Sequence, residues 1–186
     1  MFPRGRRLQK PRALLPACKP LAGGTWLDVG SGDGVFTQGL LEVAPGTARV
    51  IGFDRDHALL SRLLAWGEAS SANRTIRAVQ GDFTQPLPFR DLSGLIAANA
   101  LHFVPDPRQL AVLGHFRSAL APGGQLILVE YNAGRGNPAV PFPRRDVAWE
   151  QLMVEAGFES ARVAGRVPSS FLGEMVALSG IRPAAP

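Results

Sequence analysis

Residues 26–34 read WLDVGSGDG, an apolar run that passes directly into three glycines separated by single residues. Residues 25–29 are typical of a buried strand, and residues 35–43 carry apolar side chains at helical spacing. Glycines at such a turn let the backbone approach a ligand without side-chain collisions, and the following helix presents free N–H groups. The stretch therefore predicts a strand, a ligand-binding loop and a helix, in that order.

The alternation of short strand-like runs with longer helical runs continues along the chain. Further strands are predicted at residues 49–53, 74–80, 94–98, 125–130, 160–164 and 170–178, with helices between most of them. Strands that alternate with helices imply a parallel sheet covered on both faces. Ligands of such sheets bind at the carboxyl ends of the strands, and the chemistry is expected there.

The spacing of the glycines excludes two kinds of phosphate-binding loop. A dinucleotide loop, G-x-G-x-x-G, would need glycine where the chain has Val35, and the Gly-Lys-Ser/Thr of a P-loop does not occur. Asp28 and Asp33 add negative charge where a pyrophosphate would lie. A ligand with a positive centre and no phosphate fits these acids better.

Two further acids follow neighbouring predicted strands. Asp54 ends the second strand, where its carboxylate can accept hydrogen bonds from both hydroxyls of a ribose. Asp82 and Phe83 follow the third strand and offer an acceptor for an exocyclic amine beside a stacking face. Together these residues describe a site for a positively charged nucleoside without phosphate, and S-adenosylmethionine fits that description.

Five ordered segments resemble the motifs of class I S-adenosylmethionine-dependent methyltransferases. They are residues 26–34, 50–54, 80–83, 98–103 and 120–126. The resemblance covers about residues 21–180. It implies an α/β fold with a seven-stranded, Rossmann-like, doubly wound sheet, mostly parallel with an antiparallel last strand, and it implies methyltransferase activity.

The resemblance also implies which residues bind S-adenosylmethionine. These cofactor residues are Asp28, Gly30, Ser31, Gly32, Gly34, Asp54, Arg55, Asp82, Phe83 and Asn99. Asp28 and the glycine loop would hold the methionine end, Asp54 the ribose hydroxyls, and Asp82 with Phe83 the adenine. Asn99 would place its carbonyl near the methionine amine.

Methyl transfer from a sulfonium needs alignment and exclusion of water, and it needs a base only for an acceptor that is protonated at neutral pH. His102 follows the fourth strand and is the candidate base, because an ordinary histidine pKa of about 6.5 suits proton transfer. The fifth strand ends in Glu130, Tyr131 and Asn132, which could line the acceptor pocket, and Tyr131, the single tyrosine, is the second catalytic candidate. The alternative, that His102 packs without titrating, stays open.

The expected acceptor is a small molecule methylated on oxygen or nitrogen. Residues 99–102 lack the Asn/Asp-Pro-Pro-aromatic sequence of the family's amino-methylating nucleic-acid members. Two alternatives are an RNA or protein methyltransferase docked through a basic tail, and a module that binds S-adenosylmethionine without catalysis. Residues 133–145, rich in proline and arginine, are either an acceptor lid or a solvated loop.

Positive charge is concentrated at the start of the chain. Six of the 20 Lys+Arg residues lie in the first twenty residues, which contain no acid, whereas residues 21–186 hold 14 bases against 15 acids. We therefore expect a basic tail over residues 1–20, with RNA as its candidate partner, and a methyltransferase domain over residues 21–186. The tail offers little chain to roof a cofactor.

Other classes of protein are disfavoured by composition. The single Cys18 cannot form an intramolecular disulfide, and no Cys/His cluster has metal-ligand spacing. No apolar run approaches the 18 residues of a membrane span. We expect a cytoplasmic protein without a metal or a membrane partner, and the pattern does not predict an oligomeric state.

Overall fold

The computed structural model describes residues 8–18, 20–70, 76–169 and 171–184. Its strands are β1 (Gly24–Val29), β2 (Ala48–Asp54), β3 (Ile76–Gln80), β4 (Leu92–Ala98), β5 (Leu120–Asn132), β6 (Glu159–Pro168) and β7 (Glu174–Ile181). They form one sheet in the order β3-β2-β1-β4-β5-β7-β6. The first five strands pair in parallel, and β7 is antiparallel to both β5 and β6. The predicted fold class is confirmed.

The helices connect the strands as the alternation predicts. They are α1 (Gln9–Leu14), α2 (Val35–Val43), α3 (His57–Ala69), α4 (Asp106–Ala119) and α5 (Asp146–Glu155), with short 3-10 turns at Leu15–Cys18 and Leu101–Phe103. Asp56 caps α3, since its carboxylate accepts the N–H groups of Ala58 and Leu59. The capping residue positions α3 directly after the end of β2.

Some strands are longer than predicted. β5 begins at Leu120, because Leu120 pairs with Leu92 before the chain turns at Gly123 and pairs again from Gln125. β6 extends to ten residues because it pairs with β7 along its length, whereas β7 begins at Glu174, four residues later than predicted, and ends at Ile181. Of the strand predicted at residues 74–80, residues 74 and 75 lie outside the described residues.

The sheet divides the core into two apolar layers. Phe116 and Trp149 anchor the layer beneath α4 and α5, whereas Trp26 and Leu40 anchor the layer beneath α1 and α2. These four side chains are fully buried. With both faces covered, the strand ends are the remaining place where ligands can reach the sheet.

Part of the segment expected to be a basic tail packs on the domain. Leu14, Leu15 and Cys18 are fully buried in the layer beneath α1 and α2. The Arg12 guanidinium makes two hydrogen bonds of 2.8 Å to the Glu42 carboxylate of α2. The division at residue 20 stays a prediction. So does RNA docking, because Arg4, Arg6, Arg7 and Lys19 lie outside the described residues.

None of the helices in the described ranges is both long and apolar enough to cross a membrane. No group of three or more His, Cys, Asp or Glu side chains within those ranges could hold a metal ion.

Candidate active site at the carboxyl ends of the strands

The glycine loop lies between the ends of β1 and β2. Gly30 and Gly32 have φ angles of +65° and +54°, which favour glycine. The Gly30 N–H donates to the Phe53 carbonyl at 2.8 Å, and the Gly32 N–H donates to Asp54 Oδ2 at 2.9 Å. A Cβ at Gly32 would meet no atom within 4 Å. The loop therefore presents an open backbone face beside the Asp54 carboxylate.

A first cavity of about 390 Å³ opens above this loop. Seven of the ten predicted cofactor residues line it, namely Gly30, Gly32, Asp54, Arg55, Asp82, Phe83 and Asn99. The cavity therefore brings together the ends of β1, β2 and β4 with the segment after β3.

Local hydrogen bonds hold the acids of the first cavity in place. Asp54 Oδ1 accepts the Asp56 N–H at 2.9 Å, and Asp82 Oδ1 accepts the Thr84 N–H at 2.9 Å. Phe83 lines the cavity and also packs against the core, with its ring centroid 6.2 Å from that of Phe116. Each carboxylate retains lone pairs for a ligand, because an ionised carboxylate has about four acceptor positions.

A second cavity of about 300 Å³ adjoins the first and shares Gly30 and Asn99 with it. Asp28 and Ser31 line it as well. Ser31 Oγ and Asn99 Oδ1 are buried without a hydrogen-bond partner among the described residues. A buried polar atom without a partner is costly, so these two atoms fit the polar head of a ligand. The amino-acid end of S-adenosylmethionine supplies such a group.

Asp28 is a buried acid at the floor of the second cavity. It is 1% exposed, and Thr37 Oγ1 donates a hydrogen bond of 2.5 Å to its carboxylate. The pKa of Asp28 is raised to about 7, and burial is the main cause. The Thr37 hydrogen bond opposes this rise, and the negative charge of Asp54 adds to it. A cationic ligand group near Asp28 would favour its ionised form.

Stability should depend on the protonation of Asp28. Because the folded-state pKa is raised, the folded chain holds a proton that the unfolded chain has released, so stability falls as pH rises from about 4 to about 7. We expect this one group to lower the free energy of unfolding by up to about 1.4 kcal/mol per pH unit. Urea unfolding of Asp28→Asn and the unsubstituted chain at several pH values tests this. Parallel pH profiles would contradict it.

Gly34 lines neither of the two cavities described above. Its φ of +85° marks the start of α2, and a Cβ there would lie 2.3 Å from Leu63 Cδ1 of α3. Glycine is required here for the turn and for the approach of the two helices. The predicted contact of Gly34 with the cofactor stays a prediction.

His102 is 2% exposed and belongs to a buried polar cluster. Its Nδ1 lies 2.6 Å from Oε2 of Glu130, which is fully buried at the end of β5. The other carboxylate oxygen of Glu130 accepts the backbone N–H groups of Ala100, Leu101 and His102 at 3.1, 2.7 and 3.3 Å. Glu130 therefore holds both the backbone and the ring of the segment after β4.

Tyr131 lies beside His102 and begins an aromatic cluster. Its ring centroid is 5.7 Å from that of His102 and 5.8 Å from that of Phe171, which is half exposed. Burial is the main cause that raises the pKa of Tyr131, and the charge of Glu130 adds to it. Neither His102 nor Tyr131 lines the two cavities. Their catalytic roles stay predictions.

The loop 133–145 is tied to the segment after β4. The Phe142 N–H donates to the His102 carbonyl at 3.0 Å, and Gln109 Nε2 donates to the carbonyls of Phe142 and Val104. Gln109 Oε1 in turn accepts a hydrogen bond from Arg144 Nε. Arg144 thus anchors the loop through Gln109, a fully buried glutamine of α4. This contact favours neither an acceptor lid nor a solvated loop as the role of residues 133–145.

Sequence reasoning missed two residues of this region. Lys10 lines the second cavity from α1, although its segment was expected to be a tail. Glu130 was interpreted as a residue facing the acceptor, whereas it is buried beneath the segment after β4. A signal existed for Lys10, since Leu14 and Leu15 follow it at the spacing of a buried helical turn.

Comparison with known proteins agrees with this geometry. A model of the methyltransferase domain family matches residues 27–124. The 3-amino-4-hydroxybenzoate 4-O-methyltransferase of Streptomyces cremeus is 31% identical over 117 residues, which cover 59% of this chain and 29% of that protein. The acetylserotonin O-methyltransferase of Rattus norvegicus is 29% identical over 179 residues, which cover 84% of this chain and 38% of that protein. This chain spans less than half the length of these curated relatives.

Among solved structures, human N-acetylserotonin methyltransferase in complex with S-adenosylmethionine superimposes with a TM-score of 0.72 at 18% identity. The match covers 97% of this chain and 56% of the human chain, and it shows a shared fold. The family model, for its part, spans more than half of the 186 residues. The chain therefore belongs to the methyltransferase domain family and has the fold of the class I S-adenosylmethionine-dependent methyltransferases.

Proposed function

We propose that this chain transfers a methyl group from S-adenosylmethionine to an oxygen or nitrogen atom of a small molecule by in-line displacement. The observation that carries the proposal is the pair of adjoining cavities that share Gly30 and Asn99. The first holds carboxylates suited to an adenosine, and the second holds buried polar atoms that have no partner in the described ranges and suit an amino-acid head. When bound, S-adenosylmethionine supplies the activated methyl group.

The chain's own residues would bind the cofactor and exclude water from it. Asp54 would accept hydrogen bonds from the ribose hydroxyls, and Asp82 with Phe83 would contact the adenine. Asn99 Oδ1 and Ser31 Oγ, which have no hydrogen-bond partner in the part of the chain that the structure describes, would gain one from the cofactor. Displacement at a sulfonium disperses charge, so alignment of the acceptor and exclusion of water supply most of the acceleration.

A small aromatic acceptor is supported by two observations. Tyr131 and the half-exposed Phe171 present adjoining aromatic rings near the ends of β4 and β5. The relatives named above are O-methyltransferases of small molecules by name. Aromatic side chains contact aromatic ligands favourably in offset or edge-on arrangements. The acceptor would then approach from the side of β5.

His102 would act as the base for an acceptor that is protonated at neutral pH. Glu130 engages Nδ1 of the ring, so Nε2 is the nitrogen left to accept a proton. A base held by a buried carboxylate keeps one orientation, as proton transfer requires. Glu130 would thus be a positioning residue for His102, and it would not contact the acceptor.

The transfer reaction tests the proposal directly. Labelled S-adenosylmethionine is incubated with a panel of phenols, carboxylates and amines, and methylated products are counted. In parallel, thermal shifts are compared for S-adenosylhomocysteine and NADH. We expect product from at least one acceptor and stabilisation by S-adenosylhomocysteine alone. Binding without transfer across the panel would indicate a non-catalytic module, and stabilisation by NADH alone would contradict the cofactor assignment.

His102→Asn should lower turnover while keeping cofactor affinity. The amide N–H of asparagine can still donate to Glu130, whereas the nitrogen that would accept the proton is lost. We expect turnover to fall by about 100-fold or more, as for loss of a general base. The dissociation constant of S-adenosylhomocysteine should change by less than about twofold. His57→Asn, at the exposed start of α3, is the control. Unchanged turnover in His102→Asn would leave His102 a packing role.

A further inference from the structure

Helix α1 reaches the cofactor region through Lys10. Pro11 of α1 lies so close to α2 that a Cβ at Gly39 would be 2.3 Å from the Pro11 side chain. Lys10 and Pro11 both line the second cavity, which Asp28 and Asn99 line as well. The expectation that the first residues offer little chain to cover a cofactor stays a prediction, although α1 contributes these two lining residues.

The Lys10 ammonium contacts a hydroxyl group and an aromatic ring. Its Nζ lies 3.5 Å from Ser169 Oγ and 5.9 Å from the centroid of the Tyr131 ring. Lys10 also lines the second cavity, together with Asp28 and Asn99. Partial burial lowers the pKa of Lys10, so the charge has lost some of its hydration. An anionic group of a ligand would compensate this charge.

The groups around the second cavity complement a zwitterion. Asn99 Oδ1 is a buried acceptor without a donor among the described residues, and Asp28 adds an acid to the same cavity. Lys10 contributes the opposite charge from α1. An α-amino acid head carries one ammonium and one carboxylate, which match these two kinds of group.

We propose that Lys10 binds the α-carboxylate of the methionine moiety of S-adenosylmethionine, and this inference rests on the proposed function. The first helix then belongs to the cofactor site, and cofactor binding ties the start of the chain to the end of β4. A ligand without the carboxylate gains nothing from Lys10.

Binding of two ligands to Lys10→Met tests the inference. S-Adenosylmethionine and decarboxylated S-adenosylmethionine share the adenosine, the sulfonium and the amine, and they differ in the carboxylate alone. We expect Lys10→Met to weaken the binding of S-adenosylmethionine by about 10- to 100-fold, as for the loss of a hydrogen bond between charged groups. The affinity for the decarboxylated ligand should fall by less than about twofold. Lys10→Arg should recover most of the loss, because it restores the charge.

Arg12→Met is the matched control, since Arg12 is a cation of the same helix that pairs with Glu42. It should change the two affinities equally, if at all. Equal losses for both ligands in Lys10→Met, or no loss for either, would overturn the inference even though the unsubstituted chain binds both. If the unsubstituted chain binds neither ligand, the proposed function itself fails. Circular dichroism of each variant confirms that it is folded.

Discussion

Asp54→Ala should weaken the binding of S-adenosylhomocysteine by about 2–4 kcal/mol, or roughly 30- to 1,000-fold in the dissociation constant. The carboxylate lies in the first cavity at the end of β2, where it can accept hydrogen bonds from both ribose hydroxyls. Charge-assisted hydrogen bonds in a partly enclosed site are stronger than neutral ones. Asp54 also fixes the glycine loop through the Gly32 N–H. Titration calorimetry measures the effect.

Two roles of Asp54 can be separated by the choice of ligand. Adenosine has both ribose hydroxyls, and 2′,3′-dideoxyadenosine has neither. If Asp54 binds the ribose, the unsubstituted chain prefers adenosine and Asp54→Ala loses that preference. If Asp54 only anchors Gly32, Asp54→Ala lowers the affinity for both ligands by the same factor. Glu68→Ala, which removes an exposed carboxylate of α3, is the control and should leave both affinities unchanged.

Local sequence patterns predicted most of the fold because adjacent residues determine it. The glycines of residues 30–34 require a tight turn, and Asp56 begins a helix through its own carboxylate. Alternating strands and helices then force a parallel sheet, whose strand ends must meet at one edge. Asp54 and Asp82 follow the ends of β2 and β3, so their place in the first cavity could be predicted from this meeting of strand ends.

Long-range contacts account for what the sequence did not show. Lys10 reaches the second cavity because α1 packs on α2. The spacing of Leu14 and Leu15 indicates a buried helical turn but does not show where that turn packs. Glu130 ends a strand like any acceptor-facing residue, yet its partners are the N–H groups of residues 28 to 30 positions earlier. Whether a carboxylate at a strand end faces a ligand or the backbone depends on the neighbouring strand. That neighbour is β4, and three N–H groups of the segment that follows it donate to the carboxylate.

Glu130→Ala should destabilise the fold by about 3–5 kcal/mol, because it removes the partner of a buried group and leaves three buried N–H groups without an acceptor. Each N–H belongs to the segment that carries His102, so the loss is concentrated beside the candidate active site. Urea unfolding at pH 7, monitored by tryptophan fluorescence, measures the free energy. At this chain length the loss corresponds to a fall in melting temperature of roughly 10 °C.

Glu130→Gln separates the backbone contacts from the contact with the histidine ring. The amide oxygen can still accept the three N–H groups, and the amide N–H can donate to Nδ1 of His102. We expect this variant to lose less than half of the free energy that Glu130→Ala loses. Glu155→Ala, on the exposed face of α5, should change the free energy by less than about 0.5 kcal/mol. Equal destabilisation by the two Glu130 variants would show that the charge, rather than the hydrogen-bond geometry, holds this segment in place.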